Sequence, residues 1–320
     1  MPKPRTLLLG ILALTAAVYL PGVFRNAFVT LDDTLLITKN IAVQGLTLEH
    51  LRMIFTTYDP ELYVPLTLLS YQIEYTIAGL HPALFHLTNL LLHLSSVALV
   101  FGVITLISER FTDDEKQQNV LAAFVALLFA LHPLQTEAVT WAAARKDTLS
   151  ATLTLLSLWS FLTYRKRDAA EWYVASIVFF ALALLSKVSV LLMPLVLIAL
   201  DLLSARSTAK RLKEMMPLLG LSLLFGIIAL FGKAEHVREL PVFEHVLISV
   251  KSIGFYIAKF WLPLGLTVYK PELGVVSILR ADILLSLIVV LVLLVCGWIF
   301  RRRLPLFTFA VIFFFFTGLS

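Results

Sequence analysis

Charged residues are scarce in this 320-residue chain, at 15% against about a quarter in soluble proteins. Cysteine is nearly absent, and the lone Cys296 cannot form an internal disulfide, so it says nothing about the redox compartment. The sequence also contains no internal repeat, no glycine-rich phosphate loop, no zinc-ligand spacing and no nucleophile elbow. These absences give no support to repeat proteins, to P-loop enzymes, to zinc proteins or to α/β-hydrolases.

Hydrophobic residues are abundant instead, at 59% of the chain. A water-soluble core cannot bury that fraction, so the composition predicts an all-α polytopic membrane protein in a lipid bilayer. The formal net charge of +5 is small for this length, and most basic residues lie in loops. Such a charge reflects membrane topology, so no nucleic acid is expected among the partners.

The first apolar run, Leu7–Pro21, follows Lys3 and Arg5. This pattern fits either a cleaved signal peptide or an uncleaved first helix, and the uncleaved helix is favoured because no small-x-small cleavage site follows. The positive-inside rule then places the start of this helix in the cytoplasm. The loop that follows is therefore predicted to lie outside.

That loop, residues 24–82, is long, and it opens with the adjacent carboxylates Asp32 and Asp33. Neighbouring acids repel each other, so such a pair beside a membrane binds a cation, holds a base, or sits solvated in a turn. Apolar residues at helical spacing predict two surface helices in the loop, one after the possible N-cap Thr47 and one from Pro65. These helices are expected to cover the outer membrane face.

The second predicted span, Pro82–Ile107, carries a polar stripe on one helical face, formed by His86, Asn89, His93 and Ser96. Such a stripe must face protein or water rather than lipid. For the deep His93, a bond to a neighbouring helix and a ligand role are equally open. His86, closer to the outer surface, is the stronger functional candidate.

The third span begins near Val120 and leads to a segment rich in polar side chains, which comprises His132, Glu137, Trp141, Arg145, Lys146 and Asp147. A fourth span, Thr148–Tyr164, then leads back to a basic turn. By alternation, Arg145 and Lys146 lie outside, where the positive-inside rule disfavours them. An anionic group is therefore expected near these two cations.

The apolar stretch Trp172–Leu203 would be about 48 Å long as one helix, against a hydrocarbon core of about 30 Å. A break is therefore predicted at Ser186 and Lys187. This break places Lys187 at the outer face as well.

The last third of the sequence is predicted to contain a seventh span, Met216–Phe231, and an outside loop with Lys233, His236, Arg238 and Glu239. Val246–Leu262 is interpreted as an interfacial or re-entrant helix, because a spanning helix here would place Arg301–Arg303 outside. A span at Ala281–Phe300 and an apolar run from Leu304 follow. The end at Ser320 without a polar tail suggests a fragment of a longer protein.

In this order, several short motifs resemble the membrane half of the transmembrane and tetratricopeptide-repeat O-mannosyltransferases and their bacterial relatives. The motifs are Leu31-Asp32-Asp33 with Asn40, Tyr63-Val64-Pro65-Leu66-Thr67, His81-Pro82 with His86, Asn89 and His93, His132-Pro133 with Glu137, Trp141 and Arg145-Lys146-Asp147, and Ser186-Lys187. Each motif alone is weak, and their order is what makes the resemblance specific. It covers Phe24 to Leu203 well and the remainder loosely.

The resemblance implies a single transmembrane domain of the GT-C glycosyltransferase superfamily over residues 1–320. Such enzymes take a sugar from a polyprenyl- or dolichyl-phosphate carrier on the extracytoplasmic side of the bacterial inner membrane or the endoplasmic reticulum membrane. The acceptor is expected to be a hydroxyl group, most simply a protein Ser or Thr. The tetratricopeptide repeats of the family are missing from this sequence, so the acceptor is the least constrained partner.

The resemblance also assigns roles to individual residues. Asp32 is expected to be the catalytic base, with Asp33 as a second carboxylate, and the two would hold a divalent metal ion if one is used. Donor-phosphate binding is predicted for Arg145, Lys146 and Lys187, with His86 and His132 as hydrogen-bonding partners. Supporting positions are Asn89, Glu137, Trp141, Asp147 and Ser186.

A transporter or channel is the competing functional class, since buried carboxylates, histidines and lysines also line substrate and proton paths. The inverted repeat expected of many transporters is missing, and the polar residues concentrate at one membrane face. A purely structural membrane protein would leave the outside basic residues unexplained.

Overall fold

The structure is a computed structural model that describes residues 3–58, 62–203, 213–233, 241–267 and 277–300. Helices dominate these ranges, and no β-strand occurs within them, which confirms the predicted all-α fold class. Three sequence predictions lie outside the described residues: most of the turn from Arg206, the loop of His236, Arg238 and Glu239, and the run from Leu304 with the basic residues before it.

The α-helices, in chain order, are α1 (Pro4–Arg25), α2 (Leu48–Thr56), α3 (Pro65–Ala78), α4 (Pro82–Ser108), α5 (Glu115–Leu131), α6 (Gln135–Thr140), α7 (Arg145–Arg167), α8 (Ala170–Ser186), α9 (Met193–Leu203), α10 (Met216–Lys233), α11 (Val242–Trp261) and α12 (Ala281–Phe300). By length and composition, α1, α4 and α12 suffice to cross a membrane. The chain is thus a membrane protein, and the number of crossings stays a prediction.

The predicted surface helices of the first loop are both present. Thr47 caps α2, accepting a hydrogen bond from the His50 backbone N–H. Pro65 occupies the first turn of α3, and Gly79 ends that helix with a positive φ of 61°. The loop is therefore a folded unit, bounded by α1 and α4.

This loop has an apolar core of its own, to which the segment after α6 also contributes. The buried members are Leu36, Ile37, Ala42, Val43, Ile54, Val64, Leu68, Tyr71, Phe85, Ala142 and Ala143. On α3, the apolar Ile73 and Ile77 are exposed, whereas the polar Gln72 and Glu74 are buried. The helix thus buries these two polar residues against the protein and leaves the two isoleucines exposed.

The polar stripe of α4 is buried along its whole length, so it faces protein, which is one of the two predicted environments. Ser96 shares a 2.8 Å hydrogen bond with Thr152 of α7. The His93 ring nitrogen Nε2 lies 3.0 Å from the carbonyl oxygen of Ala130 in α5. His93 therefore has a helix partner, and this contact favours a structural role over a ligand role.

The predicted break after α8 is confirmed. α8 ends at Ser186, Lys187 has extended backbone dihedrals, and a 3-10 turn at Val188–Leu192 leads into α9. The Thr67 hydroxyl of α3 donates a 3.0 Å hydrogen bond to the carbonyl of Ser186. This bond fixes the position from which the Lys187 side chain projects.

The chain divides into two compact units, the first formed by residues 1–188 and 224–233 and the second by the remainder. In the second unit α11 packs on α12, where Gly254 is so close to Ser286 that a Cβ on Gly254 would lie 2.1 Å from the serine hydroxyl oxygen. Lys251 and Asp282 form a 3.2 Å ion pair between the same helices. The interfacial placement of Val246–Leu262 and the single domain over residues 1–320 stay predictions.

Candidate active site

The candidate site of the first unit is built around a short turn, residues 141–145, that joins α6 to α7. Three buried side chains bind consecutive backbone groups of this turn: the Asn89 amide donates to the carbonyl of Trp141 (2.8 Å), the Tyr71 hydroxyl donates to the carbonyl of Ala142 (2.9 Å), and an Asp33 oxygen accepts from the N–H of Ala143 (2.7 Å). The turn is thereby held by the first loop and by α4 together.

Asp33 lies at the centre of this arrangement and is fully buried. Its second carboxylate oxygen accepts a 2.7 Å hydrogen bond from the backbone N–H of Val29. Burial raises the pKa of the Asp33 carboxyl, while the N–H groups of Val29 and Ala143 and the nearby His86 lower it. The environment of Asp33 is that of a carboxylate that ties two backbone segments together.

Arg145, the last residue of the turn, has a side chain with no exposed surface. Its Nε donates to the side-chain oxygen of Asn89, and Nη2 donates to the carbonyl of Phe85 at 2.8 Å. Nη1 donates to the hydroxyl of Ser70 at 3.2 Å. The guanidinium also stacks over the ring of Tyr71 with its carbon 5.1 Å from the ring centre.

The counter-charge of Arg145 is Glu74 on α3, whose side chain is only 7% exposed. One Glu74 oxygen accepts a 3.0 Å hydrogen bond from Nη2, and the other lies 2.9 Å from Nη1. Every guanidinium nitrogen thus has a partner within the protein. This arrangement favours a structural role for Arg145 over the phosphate-binding role that the sequence suggested.

The next residues along α7 behave differently, because their side chains reach solvent. Lys146 forms a 3.1 Å ion pair with Asp32, whose side chain is 44% exposed. Lys187 forms an ion pair with Asp147, and these two side chains are each about one-third exposed. Asp32, Lys146, Asp147 and Lys187 are hereafter called the exposed charge cluster.

Glu137 on α6 lies near this cluster and is itself exposed. Although the residue is exposed, nearby protein partly desolvates its carboxyl and raises the pKa, the charge of Asp147 raises it further, and Lys146 and Lys187 oppose the shift. Glu137 therefore adds a third carboxyl group, within electrostatic range of both lysines.

Of the remaining predicted site residues, His132, Ser186 and His86 are buried and Trp141 is partly buried. His132 is buried, and its Nδ1 accepts a 3.2 Å hydrogen bond from the N–H of Leu134 at the end of α5. Ser186 is buried and donates to the carbonyl of Leu182. His86 is buried in the first turns of α4, and Trp141 packs on the core of the first loop. Roles for these residues at the donor phosphate stay predictions.

Asp32 and Asp33 offer a poor fit to a divalent metal ion. Both oxygens of Asp33 accept backbone hydrogen bonds, and Asp32 is neutralised by Lys146. No group of three His, Cys, Asp or Glu side chains converges as a metal site within the described ranges.

Two important residues were missed from the sequence, Glu74 and Tyr71. Both lie on the buried side of α3. In the sequence alone, a single acid near an aromatic residue is indistinguishable from an ordinary polar position of a helix. Glu74 is the only acid between Tyr63 and Pro82 in the sequence. An isolated acid in an apolar helix beside a membrane was the signal that could have identified it.

Part of the chain that carries this site is similar in sequence to known proteins. Residues 89–231 match the family described as dolichyl-phosphate-mannose-protein mannosyltransferase. The protein O-mannosyl-transferase Tmtc3 of Drosophila melanogaster is 38% identical over 116 residues, which cover 32% of this chain and 12% of that protein. The human protein O-mannosyl-transferase TMTC4 is 34% identical over 141 residues, 39% of this chain and 19% of that protein.

The chain is similar to this family over residues 89–231, which are fewer than half of its 320 residues. It spans less than a fifth of the length of these curated relatives. No solved structure matches it. The family match includes the 141–145 turn and both lysines of the exposed charge cluster but begins after Asp32, so the case for Asp32 rests on its pairing with Lys146.

Proposed function

We propose that this protein is a membrane glycosyltransferase that moves mannose from a polyprenyl- or dolichyl-phosphate carrier to a hydroxyl group of a protein, on the extracytoplasmic side. The observation that carries the proposal is the exposed charge cluster, in which a solvent-accessible carboxylate, Asp32, sits 3.1 Å from an ammonium group. The choice of mannose and of a protein acceptor rests on the similar family and relatives, which are protein mannosyltransferases.

Asp32 acts as the general base. The acceptor oxygen attacks the anomeric carbon of the sugar, its proton passes to the Asp32 carboxylate, and the bond from that carbon to the phosphate oxygen breaks. The electron pair leaves with the lipid phosphate. Asp32 suits this role better than Asp33, because Asp33 is fully buried and both its oxygens are occupied.

Lys146 and Lys187 neutralise the phosphate of the donor. The Lys146 side chain is 13% exposed and that of Lys187 is 31% exposed, and each pairs with only one carboxylate among the contacts of the described residues. A phosphate can replace or bridge such a pair, since a charged acceptor forms strong hydrogen bonds with an ammonium group. This role would also account for two cations on the face predicted to lie outside, where the positive-inside rule disfavours them.

The test is mannose transfer from the lipid-linked donor to an acceptor peptide by the purified protein in lipid. Asp32→Asn keeps the shape of the side chain and removes its basicity, so transfer should fall by about a hundredfold or more while donor binding stays nearly unchanged. Asp113→Asn, an exposed acid in the turn before α5, serves as the matched control and should keep full activity. Full transfer by Asp32→Asn would overturn the assignment.

A further inference from the structure

Two buried charged residues of the site each lie next in sequence to a member of the exposed charge cluster. Asp33 and Arg145 are fully buried, and they flank Asp32 and Lys146, which form the exposed ion pair. Asp33 and Arg145, here called the inner residues, each bind partners within the protein, and these bonds hold their backbone in place. The position of each outer residue then follows from the position of its inner neighbour.

The two inner residues are linked by the 141–145 turn. Asp33 binds the N–H of Ala143, two residues before Arg145. Arg145 in turn is bound to α3 through Glu74 and to α4 through Asn89 and the carbonyl of Phe85. Glu74 is the only carboxylate that contacts the guanidinium among the described residues.

We propose that Glu74 is a positioning residue for the transfer reaction: by neutralising and orienting Arg145, it holds the start of α7 so that Lys146 meets Asp32. Nothing about substrate contact is required, because Glu74 is buried on the protein side of α3. The inference rests on the proposed function for its meaning in catalysis. Its geometric claim, that Glu74 fixes the distance between positions 32 and 146, can be tested without any activity.

The alternative is that the buried ion pair of Glu74 and Arg145 stabilises the whole fold and has no particular effect on the start of α7. Buried ion pairs often contribute little beyond what apolar residues would, whereas an unpaired buried charge is strongly destabilising. The two roles predict structural changes in different parts of α7 when Glu74 is neutralised. A positioning role displaces the start of α7, whereas a global role loosens both ends of that helix alike.

The far end of α7 provides a matched reference. There Lys166 forms a 2.7 Å ion pair with Glu109 at the end of α4. Both pairs consist of one lysine of α7 and one carboxylate from another part of the chain. A change confined to the pair of Asp32 and Lys146 therefore reports on the start of α7 alone.

The experiment measures the cross-linking rate of paired cysteines by a short bis-thiol reagent, in full-length protein carrying Cys296→Ala. One cysteine pair replaces Asp32 and Lys146, and the reference pair replaces Glu109 and Lys166. Glu74→Gln should slow cross-linking of the first pair by about tenfold, because one charge of a buried pair is lost, and leave the reference pair unchanged. Glu49→Gln, an exposed acid of α2, should alter neither.

Unchanged cross-linking of both pairs in Glu74→Gln would overturn the proposal. If both pairs slow, Glu74→Met combined with Arg145→Met decides, since apolar replacement of a buried ion pair is often tolerated. A slow first pair with a normal reference pair then supports positioning, whereas equal behaviour of the two pairs, slow or normal, contradicts it. The proposed function would be overturned by a different result, full transfer activity of Asp32→Asn. The two failures can therefore be distinguished.

Discussion

Arg145 and Lys146 are adjacent cations at the start of one helix, yet they lie in different surroundings. The Arg145 side chain has no exposed surface and five partners on α3 and α4, whereas Lys146 pairs with a half-exposed carboxylate. Successive residues of a helix point about 100° apart, so neighbours face different sides. Residue type and predicted membrane side therefore did not suffice to assign both cations to a phosphate.

The same contrast holds for the two acids. Asp33 is enclosed by two backbone N–H groups, and Asp32 is open to solvent and to Lys146. A carboxylate enclosed in this way holds structure, while an accessible one is free to take a proton from a substrate. The molecule thus separates a buried layer, in which Asp33 and Arg145 hold the 141–145 turn, from the exposed charge cluster, which is open to solvent.

The largest effect is expected for Arg145→Ala, which leaves Glu74 as an uncompensated buried charge. The free energy of unfolding should fall by about 3–5 kcal/mol, measured by thermal or denaturant unfolding of the protein in lipid. The neighbouring Lys146→Ala breaks only a partly exposed ion pair and should cost at most about 1 kcal/mol. Equal losses for the two variants would remove the distinction between the layers.

Tyr71→Phe deletes one hydroxyl group of the buried layer and leaves the carbonyl of Ala142 without that donor. An unsatisfied buried acceptor should lower the free energy of unfolding by about 2 kcal/mol. Tyr75→Phe, one turn further along α3, is the control. A Tyr71→Phe protein as stable as the control would show that the turn is held by its other contacts.

Lys146→Ala and Lys187→Ala address the exposed charge cluster. Each should weaken binding of the lipid-phosphate donor by about tenfold, since one charge-assisted hydrogen bond to phosphate is lost. Lys166→Ala, at the other end of α7, should bind the donor normally. Unaltered donor affinity in both Lys146→Ala and Lys187→Ala would place the phosphate elsewhere.

The smallest effect concerns Glu137, whose carboxyl has a raised pKa caused first by burial and then by Asp147. The charged form is therefore disfavoured in the folded state, and it costs stability once the pH exceeds the ordinary pKa of a glutamate. Glu137→Gln removes that cost, so its Tm should exceed that of the parent slightly at neutral pH. The difference should vanish in acid, and a lower Tm at neutral pH would contradict this sign.

Much of the fold could be predicted from local sequence. The cap at Thr47, the proline at Pro65 and the length limit on Trp172–Leu203 are short-range signals, and each placed a helix end or a break correctly. The polar stripe of α4 was equally readable, because helical spacing puts its members on one face.

The division of the site into two layers was not predictable by the same means. Glu74 and Arg145 are 71 residues apart, and nothing in the local pattern around either one indicates the other. The direction in which the side chains at 145 and 146 point depends on the 3-10 turn before them, which is held by contacts from α3, α4 and the first loop. Only the packed chain supplies that information.

The most direct test of the account is the transfer rate per folded molecule in Asp32→Asn and Asp33→Asn, with folded protein counted independently of activity. We predict that Asp32→Asn loses about a hundredfold in rate at unchanged Tm, whereas Asp33→Asn has a lowered Tm and, once folded, a much smaller loss of rate. The account would be contradicted if folded Asp33→Asn were inactive while Asp32→Asn transferred mannose at the normal rate.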